Sequence, residues 1–133
     1  MDTGPIYTQL RFALDDDITS DELFIELADL GAQALLTALS EIEAGKKPKP
    51  QEMEGQTRAA KLSKDEGEID WNRPAPEISS KIRAFTSIPG AWTTFRGSTL
   101  KVDTPTISES SAMQLKPSEI TLFDKKLYVG TST

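Results

Sequence analysis

The chain contains no cysteine and no histidine. It therefore has no disulfide, no thiol nucleophile, none of the usual zinc ligands and no copy of the commonest general base near neutral pH. Aromatic residues make up only 7% of the sequence, and no uninterrupted apolar run reaches the roughly 18 residues of a membrane span. The acidic residues after Met1 do not resemble a signal peptide. These absences predict a cytoplasmic protein with no membrane span and no bound metal.

Charge is distributed unevenly along the 133 residues. Residues 1–70 carry 16 acids and 7 bases, a net charge of −9, whereas residues 71–133 carry 5 acids and 8 bases, a net charge of +3. An acidic half followed by a basic half indicates two structural units, of which the second is better suited to contact phosphate. The charge alone does not separate nucleic-acid binding from an ordinary solvated surface.

The first part of the chain has the pattern of one strand and one helix. Apolar residues at even positions between residues 6 and 14 predict a half-buried strand, because strand side chains alternate between two faces. Thr19 and Glu22 have the spacing of a helix capping box. The apolar stripe that follows predicts a helix that ends at Ala44 and packs against a core.

The middle of the chain is predicted to connect two domains. Residues 46–56 contain two prolines and no periodicity, which is typical of an extended linker. Residues 68–71 have the composition of a short strand. Asn72 is positioned to cap a second helix that carries Pro74 in its first turn.

After residue 90 the pattern changes to short strands joined by turns. Residues 91–95 and 100–102 flank a first turn at 96–99, and residues 120–123 and 126–129 flank a second turn at 124–125. Residues 105–116 between the two hairpins are polar and are predicted to form a loop. Four strands of this kind indicate an incomplete barrel or sandwich.

Segments spread along the chain resemble the methionyl-tRNA formyltransferase family, in the family's order and spacing. The segments that carry this resemblance are Asp2-Thr3-Gly4-Pro5, Leu27-Ala28-Asp29-Leu30-Gly31-Ala32, Ala60-Lys61-Leu62-Ser63-Lys64, Glu68-Ile69-Asp70-Trp71, Ile82-Arg83-Ala84-Phe85 and Pro89-Gly90-Ala91-Trp92. The resemblance covers nearly the whole chain up to Val102 and is weaker beyond that residue.

The resemblance implies an α+β fold in three parts. Residues 1–45 would form the terminal strand and helix of a Rossmann-like formyltransferase domain, and residues 46–88 a linker with a joining helix. Residues 89–133 would start an incomplete OB-like β-barrel, the tRNA-binding domain. The family transfers a formyl group from 10-formyltetrahydrofolate to the amino group of methionyl initiator tRNA during translation initiation, and the full-length enzyme is expected to be monomeric.

Site residues follow from the same resemblance. Asp2 occupies the position of the family's catalytic Asp, with Thr3 and Gly4 in its supporting loop. The family's catalytic Asn and His and its folate-binding loop are expected upstream of Asp2, so this chain alone is predicted to be inactive. Expected tRNA contacts are Lys61, in the joining segment, and Arg96 and Lys101, around the first hairpin, which would bind phosphates rather than read bases.

Two alternatives stay open on the sequence alone. The chain could be a stand-alone RNA-binding module that kept the barrel and lost the enzyme. It could also be a fragment of a formyltransferase that acts on an amino sugar linked to a nucleotide, because the residues that build the amino-acceptor site would lie elsewhere.

Overall fold

The computed structural model describes residues 3–52, 54–108 and 113–132, and it divides the chain into two compact units. Unit 1 is Met1–Lys61 and unit 2 is Leu62–Thr133. The elements in the described ranges are helices α1 (Ser20–Glu43) and α2 (Ala75–Ala84), a 3₁₀ turn (Asp65–Gly67), and strands β1 (Trp92–Phe95), β2 (Ser98–Lys101), β3 (Ile120–Phe123) and β4 (Lys126–Val129). Two helices and two small antiparallel sheets make the chain an α+β protein.

Helix α1 of unit 1 begins at the predicted capping box. The backbone N–H of Thr19 donates to a Glu22 carboxylate oxygen at 2.9 Å, and the Glu22 N–H approaches the Thr19 hydroxyl at 3.4 Å. Each of these two hydrogen bonds satisfies a backbone N–H that has no partner within the helix. Ala44 is the C-cap residue of α1, and Gly45 follows with a φ of 71°, the left-handed conformation that favours glycine.

The apolar residues of α1 lie on two sides of the helix. Leu23, Leu30 and Ala34 are half-buried, whereas Phe24 and Leu36 are 76% and 68% exposed. No described residue of α1 is fully buried, so the stripe predicted to pack against a core is only partly covered. By length and composition alone α1 would also be able to cross a membrane, a property shared by core helices of soluble proteins.

The strand predicted over residues 6–14 is wrong. Ile6 and Lys49 exchange backbone hydrogen bonds of 2.7 and 2.8 Å in a single antiparallel bridge, and residues 7–14 belong to no strand. Alternation places side chains on two faces, but a strand also needs a neighbour to accept its hydrogen bonds. Within the described part of unit 1 only Lys49 supplies that pairing.

Unit 2 is built on a small core beside α2. The buried apolar residues of this core are Ile69, Ile78, Ile82, Phe85 and Ala91, and the partly buried residues packed against them are Trp71 and Val102. Ile78 and Ile82 of α2 and its C-cap residue Phe85 are spaced by four and three residues, which places them on one face of the helix. The core therefore joins α2 to the segments before it and after it.

Two local predictions near α2 need correction. Pro74 rather than Asn72 is the N-cap residue of α2; Asn72 instead donates from its backbone N–H and its side-chain amide to Asp70 Oδ1, at 3.0 and 2.9 Å. The Asp70 carboxylate thus forms an Asx turn on the Asn72 N–H and also binds the Asn72 side-chain amide, which is then not used to cap the helix. The short strand predicted over residues 68–71 is reduced to one parallel bridge between Glu68 and Trp92.

Both predicted hairpins are confirmed. β1 pairs with β2 through a turn at Arg96 and Gly97, and β3 pairs with β4 through a turn at 124–125. The φ angles are 51° and 80° in the first turn and 46° and 60° in the second. Positive φ at both central residues is typical of type I′ turns, whose twist matches that of the flanking strands. The first turn is shorter than predicted, because β2 already begins at Ser98. In the described part of unit 2 the hairpins form two separate sheets.

Candidate nucleic-acid interface

The predicted catalytic position cannot be placed, because Asp2 lies outside the described residues. Thr3 and Gly4, the next two residues of the chain, are exposed. The Gly4 carbonyl accepts a hydrogen bond of 2.6 Å from the side-chain amide of Gln51, which ties the start of unit 1 to the segment that follows α1. Among the described residues no group of three or more acidic side chains is arranged to hold a metal ion.

Trp92 anchors the segment that precedes α2. Its indole Nε1–H donates to the Lys64 carbonyl at 2.9 Å, and its own carbonyl accepts from the Ile69 N–H at 2.8 Å. One residue at the start of β1 therefore holds a segment more than 20 residues earlier at two points. Its side chain is half-buried.

Gly67 makes this close approach possible. A Cβ atom added at Gly67 would overlap the carbonyl oxygen of Gly90 and would lie 3.3 Å from Trp92 Cδ1. Gly67 is itself buried in the 3₁₀ turn. Only a residue without a side chain lets the two backbone segments meet at this distance.

Ser63 and Glu66 form hydrogen bonds with each other at the start of the 3₁₀ turn. The Ser63 backbone N–H donates to a Glu66 carboxylate oxygen at 2.6 Å, and the Glu66 N–H approaches the Ser63 hydroxyl at 3.4 Å. Hydrogen bonds to the Glu66 carboxylate from the backbone and the side chain of Ser63 lower the pKa of Glu66 below its usual 4.5, with a smaller contribution from the charge of Lys81. The Glu66 carboxylate thus helps to fix the backbone conformation of residues 63–67.

Acid is expected to destabilise unit 2. The pKa of Asp70 is also lowered, chiefly by the Asn72 side chain and backbone donors. A carboxyl whose folded-state pKa lies below its unfolded value stabilises the fold above the unfolded value and loses that contribution as the pH falls through the folded value. We therefore expect the urea concentration at which unit 2 is half unfolded to decrease as the pH is lowered from about 5 to about 3.

The matched control for this pH dependence is Glu66→Gln, which keeps the shape of the side chain and removes one titrating group. Its unfolding midpoint should decline less steeply over the same pH range, with the remaining decline due to Asp70. A variant as pH-sensitive as the unsubstituted chain would contradict the role given to Glu66.

Arg96 and Lys101 lie at opposite ends of the first hairpin. Lys101 is directly opposite Trp92 in the β1–β2 register, so the two side chains share one face of the sheet. Arg96 is in the turn, where its guanidinium carbon lies 5.2 Å from the centre of the Phe95 ring, within the range of a cation–π contact. The structure brings Lys101 to the Trp92 anchor and holds Arg96 apart from it.

Lys61, the third predicted tRNA contact, is exposed and is the last residue of unit 1. The residue that sequence reasoning missed is Lys64, whose carbonyl accepts the Trp92 indole hydrogen bond. The sequence pattern could have indicated Lys64, because Ser63 and Glu66 have the Ser-x-x-Glu spacing of a capping box, which fixes the backbone of the residues between them.

Comparison with known proteins identifies the class. The family model described as "Formyl transferase, C-terminal domain" matches residues 61–133, which is more than half of the chain and includes both hairpins, α2 and the Trp92 anchor. The chain belongs to the formyl transferase family.

Curated relatives narrow this class. A methionyl-tRNA formyltransferase of Arthrobacter sp. (strain FB24) is 38% identical over 133 residues, which cover 100% of this chain and 43% of that protein. A methionyl-tRNA formyltransferase of Sorangium cellulosum is 45% identical over 103 residues, which cover 77% of this chain and 33% of that protein. The resemblance predicted from the sequence is confirmed, and the chain spans less than half the length of these relatives.

A solved structure shares the fold. A variant of HypX from Aquifex aeolicus superposes with a TM-score of 0.74 over 98% of this chain and 24% of its own, at 22% sequence identity. At that identity the likeness concerns the fold alone.

Proposed function

We propose that this chain works as part of a methionyl-tRNA formyltransferase, in which unit 2 contacts the initiator tRNA. The observation that carries the proposal is the match of the whole chain to a relative of that name at 38% identity. The position of Lys101 beside Trp92, and of Arg96 at the hairpin tip, supports it, because exposed cations on a hairpin suit backbone phosphates.

The reaction proposed for the complete enzyme is formyl transfer from 10-formyltetrahydrofolate. The methionyl amino nitrogen attacks the formyl carbon, the new C–N bond forms, and the bond from that carbon to the folate nitrogen breaks. The amine loses a proton and the folate nitrogen gains one, so a proton carrier and a donor for the intermediate oxyanion are required. By resemblance Asp2 would orient the histidine that performs this transfer, with Thr3 and Gly4 supporting it.

The chain has no histidine, and this leads to a proposal about the isolated polypeptide. We propose that it transfers no formyl group by itself, since Asp2 has no histidine of its own chain to orient. The proposed domain plan remains residues 1–45 at the end of a Rossmann-like catalytic domain, 46–88 as linker and joining helix, and 89–133 as the start of an OB-like barrel. A cytoplasmic location and a monomeric complete enzyme belong to the same proposal.

Binding of methionyl initiator tRNA to the 133-residue chain tests the proposed contacts. Affinity should fall linearly with the logarithm of salt concentration, because each bound phosphate releases counterions. Lys101→Met should weaken binding by roughly threefold to tenfold and reduce the steepness of that line by about one phosphate contact, and Arg96→Met should do the same. A filter-binding or fluorescence-anisotropy titration at several salt concentrations measures both quantities.

The matched control is Lys46→Met, which removes a lysine paired with Glu41 at 2.9 Å in unit 1 and should leave tRNA affinity unchanged. Equal losses in Lys46→Met and Lys101→Met would indicate a diffuse charge effect and contradict the contacts. Formyl transfer measured with the chain alone would contradict the proposed inactivity, and a chain that binds no tRNA at low salt would contradict the tRNA role.

A further inference from the structure

The Lys64 carbonyl is held by two donors at once. Trp92 Nε1–H reaches it at 2.9 Å, and the Gly67 backbone N–H reaches it at 3.1 Å. A carbonyl oxygen has two lone pairs, so both acceptor positions of Lys64 are used. One bond closes the turn locally and the other ties the turn to strand β1, 28 residues later.

The same tryptophan lies next to a second lysine. Lys101 is directly across from Trp92 in the β1–β2 ladder. Its side chain runs toward Gly90, since Lys101 Cε would lie 4.0 Å from a Cβ atom placed there. The carbonyl oxygen of Gly90 lies against Gly67 in the 3₁₀ turn. The turn that contains Lys64 and the strand that contains Lys101 therefore meet at Trp92 and Gly90.

The Trp92 indole ring contacts both Lys64 and Gly67. Its only N–H is used by Lys64, and its Cδ1 atom lies 3.3 Å from where a side chain at Gly67 would begin. A ring held in this way is suited to fixing backbone rather than to stacking on a free base.

We propose that Trp92 is a positioning residue for tRNA contact, which holds Lys64 in place so that Lys64 and Lys101 together bind backbone phosphates of the tRNA. The inference rests on the proposed tRNA role of unit 2. Lysine charges act at a distance set by the backbone that carries them, so a fixed backbone reduces the conformational entropy lost on binding. Neither hydrogen bond of the Lys64 carbonyl involves the lysine side chain, which leaves the ammonium group available for phosphate.

The test compares Trp92→Phe with Trp71→Phe in the 133-residue chain. Each substitution keeps an aromatic ring and removes one indole hydrogen bond. The one lost from Trp71 is to the Thr93 hydroxyl at 3.0 Å, and the Thr93 side chain lies on the opposite face of β1 from that of Trp92. Trp92→Phe should weaken tRNA binding by roughly threefold to tenfold and lower the salt dependence by about one phosphate contact. Trp71→Phe should leave both unchanged, although both variants lose stability.

A double-mutant cycle adds a readout that a general loss of stability would not change. Lys64→Met alone should weaken binding to a similar extent, because it removes the positioned charge from an exposed side chain. In the Trp92→Phe background the same Lys64→Met substitution should cost clearly less than it does alone, because residues that act through one another are not additive. Hydrogen exchange at the Gly67 amide should speed up in Trp92→Phe and stay slow in Trp71→Phe.

The outcomes separate this inference from the proposed function. Equal affinity and equal salt dependence in Trp92→Phe and the unsubstituted chain would overturn the positioning role while leaving tRNA binding intact. Equal losses in the two tryptophan variants, or full additivity with Lys64→Met, would overturn it as well. If Trp92→Phe does not fold, an unchanged affinity in Lys64→Met overturns it. An unsubstituted chain that binds no tRNA would overturn the function first, and the inference with it.

Discussion

Replacing Ile82 by alanine is expected to lower the free energy of unfolding of unit 2 by about 3 kcal/mol. Ile82 is 2% exposed and is the most buried side chain of α2. Its removal loses the transfer free energy of the missing methyl and methylene groups and leaves a cavity that the surroundings only partly fill. Because the described residues of unit 2 include only five buried apolar core residues, few other contacts are available to compensate.

The chain provides a matched control for that result. Ile88 is 88% exposed, so Ile88→Ala makes the same chemical change where water already reaches the side chain. Its effect should stay within about 0.5 kcal/mol. Urea unfolding followed by the NMR amide signals of unit 2 measures both variants, and similar losses in the two would contradict the assignment of the core to the inner face of α2.

Gly67→Ala is expected to destabilise unit 2 by about 2 kcal/mol, within the range of other overpacking substitutions. The new Cβ would meet the backbone oxygen of Gly90. A side chain could rotate away from that overlap, but a carbonyl in a backbone segment moves only together with its neighbours. The substitution should therefore separate the 3₁₀ turn from the start of β1 and weaken the Trp92–Lys64 hydrogen bond.

Gly31→Ala is the natural comparison because it is the same substitution in open space. A Cβ at Gly31 has no heavy atom within 4 Å, and in a helix interior alanine is favoured over glycine by about 1 kcal/mol. The two alanine variants should thus change stability in opposite directions, each in its own unit. Thermal unfolding of both would show this, and a loss of stability in Gly31→Ala would mean that α1 is packed more tightly than its exposure indicates.

The parts of the fold that could be predicted are those set by neighbouring residues. The capping box of Thr19 and Glu22 acts over three residues, and the turns at 96–97 and 124–125 act over two. In each case the deciding hydrogen bonds or backbone angles involve residues that are close together in the sequence. These elements appear in the structure at or near their predicted positions.

The parts that failed depend on partners elsewhere in the chain. The alternation of residues 6–14 describes a strand correctly in its side chains, but pairing in the described part of unit 1 stops at Ile6 and Lys49. Asn72 was a candidate cap for α2, but its backbone N–H and its side-chain amide both donate to the Asp70 carboxylate. Sequence spacing gives the candidates in such a competition, whereas the result depends on where Pro74 and α2 lie.

The candidate site divides in the same way. The positions of Lys101 and Arg96 on the first hairpin could be predicted because a hairpin turn identifies the residues around it, and their contact with tRNA stays a prediction. The bond from Trp92 to Lys64 could not, since it joins residues 28 positions apart and needs a buried glycine between them. Asp2, Thr3 and Gly4 came from resemblance alone, and their catalytic role stays a prediction.

The placement of the two tryptophans has a spectroscopic consequence. Trp71 and Trp92 are the only tryptophans of the chain, and both lie in unit 2 with their indole N–H groups bonded across the fold. Helical residues are concentrated instead in unit 1, where α1 has 24 residues against 10 in α2. Tryptophan fluorescence therefore reports on unit 2 and far-ultraviolet circular dichroism mainly on unit 1, so a single unlabelled sample can reveal whether the two units unfold together or one after the other.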